Sequence, residues 1–76
     1  MKLELYKFDG CPFCARVMGV IEELGAPVEM HDIRQNKDDL ARLIEVGGKK
    51  QVPCLFIDGK PLYESADIIA WLKSNF

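Results

Sequence analysis

Cys11-Pro12-Phe13-Cys14 places two thiols with two residues between them, after the apolar run Leu3-Glu4-Leu5-Tyr6 and before an amphipathic helical pattern. That order puts the pair at a strand-to-helix turn, with Cys11 at the helix N-terminus. Unpaired backbone N–H groups and the helix dipole favour negative charge there. A thiol in such a position is drawn below its free pKa of roughly 8.5 and is largely thiolate at neutral pH. The thiolate is the form that attacks disulfides. Pro12 suits the first helical turn, where its missing N–H costs nothing. Cys14 lies one turn further on, close enough to close a small disulfide ring. The chemistry these residues point to is dithiol redox exchange. The competing use of such a pair is structural zinc, which needs four ligands and usually a second Cys/His pair. Only Cys54 and His31 remain, far apart in sequence, so no metal is expected.

The elements that must hold this turn are legible from periodicity. Residues 2–7 alternate apolar and polar and read as a strand. Val17, Val20, Ile21 and Leu24 recur at helical spacing, which predicts a helix over Phe13–Leu24, ended by Gly25 and blocked by Pro27. Val28–Ile33 reads as a second strand. Residues 37–46 read as a second helix, with Asp38 and Asp39 near its start, Leu40, Leu43 and Ile44 facing inward, and Gly47-Gly48 stopping it. Cys54–Ile57 is a short buried strand. Asp58-Gly59 is a hairpin turn, and Lys60–Tyr63 returns as the fourth strand. Ser65 is expected to cap a last helix carrying Ile68, Ile69 and Leu72. The order β-α-β-α-β-β-α is an α/β class: a four-stranded mixed sheet flanked by helices. Its first two strands are expected parallel through a right-handed crossover, its last two as an antiparallel hairpin. Active groups in such sheets gather at the carboxyl ends of parallel strands, which is where Cys11 falls.

Bulk properties narrow the classes. Seventy-six residues, 49% hydrophobic and 29% charged, read as one globular domain over residues 1–76 with a modest core. A net charge of −2 and a pI near 5.3 argue against a nucleic-acid partner. No apolar run approaches the roughly 20 residues of a membrane span. An acidic Glu4 stands where a signal peptide would be apolar, and three cysteines do not make a secreted disulfide framework. A cytoplasmic protein is expected.

Three segments together resemble glutaredoxin: Cys11-Pro12-Phe13-Cys14 after the first strand, Gln51-Val52-Pro53 before the third, and Ser65-Ala66-Asp67 opening the last helix. The resemblance covers essentially the whole chain. It implies a thioredoxin-like fold and glutathione-dependent exchange of a redox-active disulfide, with Cys11 as nucleophile and Cys14 as resolving thiol. It implies a cis Val52–Pro53 bond, with the Val52 backbone pairing the glutathione cysteinyl group as an added strand would. It assigns Ser65 and Asp67 to the γ-glutamyl end, and Lys49, Lys50 or Gln51 to the glycyl carboxylate. The chain departs from the pattern at two places. Tyr63-Glu64 stands where many glutaredoxins have Gly-Gly, and Glu64-Ser65 resembles the pair that binds the γ-glutamyl group in the thioredoxin-like N-terminal domain of glutathione transferases. Glu64 is therefore a further candidate ligand. Phe8 occupies a position three before the nucleophile that is often basic, with Lys7 one further back.

The resemblance implies glutathione as reducing co-substrate, with disulfide-containing or glutathionylated proteins as partners of a monomer. Rival readings are a glutathione-ligated [2Fe-2S] cluster carrier, a transferase fragment, and a thioredoxin-like donor reduced by a flavoenzyme. A transferase needs a helical second domain, for which 76 residues leave no room. Cys54 reads as a small core residue, with a regulatory thiol as the alternative. His31 reads as structural and Trp71 as packing. Phe13 reads as exposed, a platform for partner proteins, and Arg16 as a solvated helix residue.

Overall fold

The computed structural model describes residues 1–76 and orders the elements as β1 (Leu3–Lys7), α1 (Pro12–Leu24), β2 (Val28–Asp32), α2 (Lys37–Gly47), β3 (Cys54–Ile57), β4 (Lys60–Tyr63) and α3 (Ser65–Asn75). The sheet runs β2-β1-β3-β4, with β1 parallel to β2 and antiparallel to β3, and β3 antiparallel to β4. This is the expected thioredoxin-like α/β arrangement.

Alternation along β1 divides the core in two. Leu3 and Leu5 face one side, where they pack with Val17 and Ile21 of α1, Leu55, and Ile68 and Leu72 of α3. Tyr6 faces the other side, with Phe56, Cys54, Ile33 and Leu43 of α2. Both faces of β1 are therefore covered, and Glu4 is only 2% exposed. α1 ends as expected, with Gly25 left-handed at φ 66 and the Ala26 N–H on the Ile21 carbonyl. Asp58 and Gly59 both take positive φ, 49 and 82, the conformation that a tight two-residue hairpin turn requires.

Five local expectations shift. α1 starts at Pro12 rather than Phe13, and β2 ends at Asp32 rather than Ile33. α2 runs through Gly47, with Gly48 as its left-handed cap. Ile44 does not face inward: it is 45% exposed, because α2 turns Leu43 onto the Tyr6 face of the sheet and only that residue reaches full burial. Ser65 does not cap α3. It is the first helical residue, and the capping position falls to Glu64 at φ 68. A single residue joins β4 to α3, so the whole change of direction falls on Glu64.

Candidate active site

Cys11 leaves β1 through the Asp9-Gly10 turn and occupies the N-cap of α1 with extended φ −81 and ψ 114. Its Sγ accepts a hydrogen bond from the Cys14 N–H at 3.2 Å. A backbone donor at a helix N-terminus stabilises a negatively charged sulfur. Cys11 is 8% exposed and Cys14 is fully buried, so Cys11 is the outer residue of the pair. Burial pushes the Cys14 thiol up to about 12, and its hydrogen bond to Cys11 pushes the same way. The pair is therefore asymmetric: an outer sulfur held by the backbone and an inner thiol held in its protonated form.

Phe13 lies between the two thiols, is 56% exposed as expected, and lines a cleft of about 270 Å³ with Gln51, Val52, Pro53, Glu64 and Ser65. The Val52–Pro53 bond is cis, as the resemblance implies. Gln51 Nε2 donates to Glu64 Oε1 at 3.1 Å, tying the two rims together. The N-terminus of α3 opens on this cleft. Glu64 makes no side-chain cap, the first helical bond runs from the Ile68 N–H to the Glu64 carbonyl, and the Ser65, Ala66 and Asp67 N–H groups meet no acceptor in the chain. Free N–H groups at a helix start are an anion site. Of the sequence candidates, Gln51, Val52, Pro53, Glu64 and Ser65 are thus brought together. Lys50 and Asp67 are exposed and outside the lining.

Lys7 is committed elsewhere. Its Nζ lies 3.2 Å from Asp9 and 3.6 Å from Asp32. Burial acts to raise the Asp32 carboxyl, but N–H donation from Arg34 and Gln35 and the Lys7 charge outweigh it and hold it low. The Arg34 guanidinium lies 3.7 Å over the Phe8 ring, so a positive charge returns from the β2–α2 loop to the position where Phe8 departs from the family pattern.

Sequence reasoning passed over Tyr63 as a supporting residue. It pairs with Cys54 across β3–β4, its hydroxyl donates to the Lys49 carbonyl at 3.1 Å, and Lys49 Nζ lies 4.5 Å over its ring. It thereby fixes the segment that leads into Val52–Pro53. Burial raises Tyr63 to about 12 and Cys54 to about 11. Cys54 is fully buried, the core residue expected. The one available signal for Tyr63 was its place immediately before Glu64.

The family model of the glutathione S-transferase N-terminal domain matches residues 5–76. A glutaredoxin of Haemophilus influenzae is 34% identical, with 100% of this chain and 95% of that one covered. The chloroplastic glutaredoxin-C4 of Oryza sativa subsp. japonica is 39% identical over 86% of this chain, which spans about half, 51%, of the rice protein. Among solved structures, a glutathione transferase Omega 3C from Trametes versicolor superposes with a TM-score of 0.86 at 26% identity, covering all of this chain and 34% of its own. An epsilon-class glutathione S-transferase from the housefly gives 0.83 at 25% identity, with 35% of its chain covered.

Proposed function

The chain belongs to the glutaredoxins and, through the same residues, to the family of the glutathione S-transferase N-terminal domain; on that premise we propose that it is a glutathione-dependent thiol–disulfide oxidoreductase acting through Cys11. The observation that carries this reading is the Cys11 sulfur at the N-terminus of α1, accepting the Cys14 N–H at 3.2 Å, two residues before Phe13, which lines a cleft together with an uncapped helix start; the thiols themselves stand outside that lining.

Glutathione has an anionic γ-glutamyl carboxylate, an ammonium, a cysteinyl thiol and a glycyl carboxylate. The free N–H groups of Ser65 and its neighbours receive the first. Glu64 and Asp67 offer carboxylates for the ammonium. The Val52 backbone beside Pro53 pairs the cysteinyl residue, and Lys50 or Gln51 meets the glycyl carboxylate. The Gln51–Glu64 hydrogen bond is the contact that the tripeptide exchanges for its own.

On a glutathione mixed disulfide, Cys11 thiolate attacks the glutathione sulfur. The S–S bond breaks, the protein thiolate leaves and takes a proton, and Cys11 is glutathionylated. A second glutathione thiolate attacks that sulfur of the bound glutathione, releasing oxidised glutathione and regenerating Cys11. On a protein disulfide, Cys11 thiolate attacks one sulfur and the other leaves as a thiolate that takes a proton; Cys14 then attacks the Cys11 sulfur, the second target thiolate leaves, and the Cys11–Cys14 disulfide is reduced by two glutathiones, which depart as oxidised glutathione. Before attack Cys14 stays a thiol, and its hydrogen bond to Cys11 helps keep it so. Mixed-disulfide formation removes that restraint, the smaller of the two, while burial, the larger, remains. On this reading the chain works as a monomer in a cytoplasmic setting, where glutathione keeps the pair reduced.

The test is turnover of a small glutathione mixed disulfide with glutathione, glutathione reductase and NADPH. Wild type and Cys14→Ser turn over, while Cys11→Ser falls to the uncatalysed rate and Cys14→Ser loses reduction of protein disulfides. Turnover by Cys11→Ser overturns the assignment.

A further inference from the structure

The parallel register of β1 and β2 assembles a second polar cluster. Glu4 pairs with Glu29 and Tyr6 with His31, so these four side chains share the sheet face that α2 covers. Glu4 is 2% exposed, and Arg42 Nη2 donates to its Oε2 at 3.4 Å. Its Oε1 accepts no hydrogen bond. It lies 3.4 Å from His31 Nε2 and 3.7 Å from the ammonium of Lys2. Glu29 Oε1 approaches the same Nε2 at 3.5 Å. On the other side of the ring, Asp39 Oδ1 is 2.9 Å from Nδ1, while Tyr6 stacks on the imidazole at 4.9 Å. His31 Nε2 is buried with no hydrogen-bond partner.

This arrangement is incomplete as it stands. A carboxylate only accepts, so Asp39 places a proton on Nδ1. A neutral ring then directs its Nε2 lone pair at two carboxylate oxygens, and three acceptors converge on one point. A proton or a metal ion between them would resolve it. A proton on Nε2 would make charge-assisted bonds, whose usual length is about 2.7–2.9 Å. The contacts here are longer, 3.4 and 3.5 Å, and one N–H cannot point at both oxygens. Ligands about 2.1 Å from a tetrahedral ion stand about 3.4 Å apart, which is the spacing found. All three ligand atoms lie within 4.8 Å of one another, and Glu29, 59% exposed, is free to close the third edge. Asp39 on Nδ1 is the carboxylate–histidine partner that metal-bound imidazoles ordinarily have. Arg42 occupies the other Glu4 oxygen, and the exposed Lys2 can withdraw.

We propose that Glu4, Glu29 and His31 form a binding site for Zn²⁺ or a related divalent transition cation, with Asp39 orienting His31 and water as the fourth ligand. The site is separate from the thiols and stands whether or not the chain exchanges disulfides.

Because Cys11 and Cys14 would also take zinc, the test uses the full chain carrying Cys11→Ser and Cys14→Ser. Titration calorimetry with zinc chloride is expected to give one ion per chain. His31→Gln abolishes saturable binding, and Asp39→Ala weakens it about 10- to 100-fold, with circular dichroism confirming the fold of each. Cobalt substituted at the site shows visible d–d bands and no thiolate charge-transfer band, which excludes Cys54. Independently of substitution, the imidazole ¹⁵N spectrum of His31 shifts at Nε2 on zinc addition while Nδ1 keeps its proton. Absence of saturable uptake, uptake indifferent to His31→Gln, or an Nε2 resonance unmoved at saturating zinc overturns the proposal.

Discussion

The thiol end of the molecule and the Glu4–His31 face are both polar groupings on one small sheet, yet they are held by opposite means. Cys11 and Cys14 are placed by backbone: a turn, a helix start, and an N–H to sulfur bond spanning three residues. The other cluster is placed by side chains from β1, β2 and α2, with up to 38 residues between hydrogen-bonded partners. One stands at a helix start with Cys11 at 8% exposure, and the other buries a carboxylate at 2%. A site built from backbone can lose a side chain and keep its shape. A site built from converging charges loses stability with any one of them.

The largest contrast lies within the thiols themselves. At pH 8 a thiol at about 11, Cys54, is ionised to roughly one part in a thousand, and one at about 12, Cys14, to roughly one in ten thousand. Both are fully buried. Iodoacetamide at pH 8 is therefore expected to label native reduced protein once, at Cys11, and three times after unfolding, as read by peptide mass spectrometry. Raising the pH towards 11 brings in the inner thiols. Equal labelling of Cys11 and Cys14 at pH 8 would remove the asymmetry between the outer and the inner thiol.

At the other face the expected effect is on stability. Arg42→Ala leaves the buried Glu4 carboxylate with His31 and an exposed Lys2. Removing one partner of a fully buried pair costs about 3–5 kcal/mol; Arg42 is 47% exposed and His31 and Lys2 remain beside Glu4, so a loss of about 1–2 kcal/mol is expected in urea unfolding. Turnover by the folded fraction stays at the wild-type rate. A change in turnover without a change in stability would show that the two regions are coupled rather than separate.

That division also explains what the sequence disclosed. The Cys11–Cys14 spacing, the Gly25 stop and the Asp58-Gly59 turn are local, and each acts within a few residues of itself. The element order followed from them. Glu4 was hidden because alternation along residues 2–7 looks like a strand with one wet face, whereas β1 is central and covered on both sides. His31 gained its neighbours only through the parallel register, which no local pattern specifies. Ser65 drew attention as a cap because serine caps helices. The one-residue β4–α3 connection instead moved the cap to Glu64 and left the helix start open.

Gly47 and Tyr63 join the two regions, and the smallest effect expected is the most discriminating. Gly47 is helical in α2, so alanine there would ordinarily stabilise by about 0.5–1 kcal/mol. A Cβ at Gly47, however, meets the Tyr63 hydroxyl and lies 3.3 Å from its Cζ. The ring cannot swing away freely, since its hydroxyl is bonded to the Lys49 carbonyl and Lys49 Nζ lies over its face. Gly47→Ala is therefore expected to destabilise by about 1 kcal/mol net, the overpacking cost exceeding the helix gain. In a Tyr63→Phe background the colliding oxygen is gone, and the same substitution should become neutral or stabilising. A sign change across this double-mutant cycle, with a raised KM for glutathione in Gly47→Ala alone, places Tyr63 as the strut between α2 and the Gln51–Pro53 rim. A destabilisation that persists in Tyr63→Phe would put the cost on the ring itself, whose Cζ lies 3.3 Å from the added Cβ, rather than on the hydroxyl and its bond to Lys49.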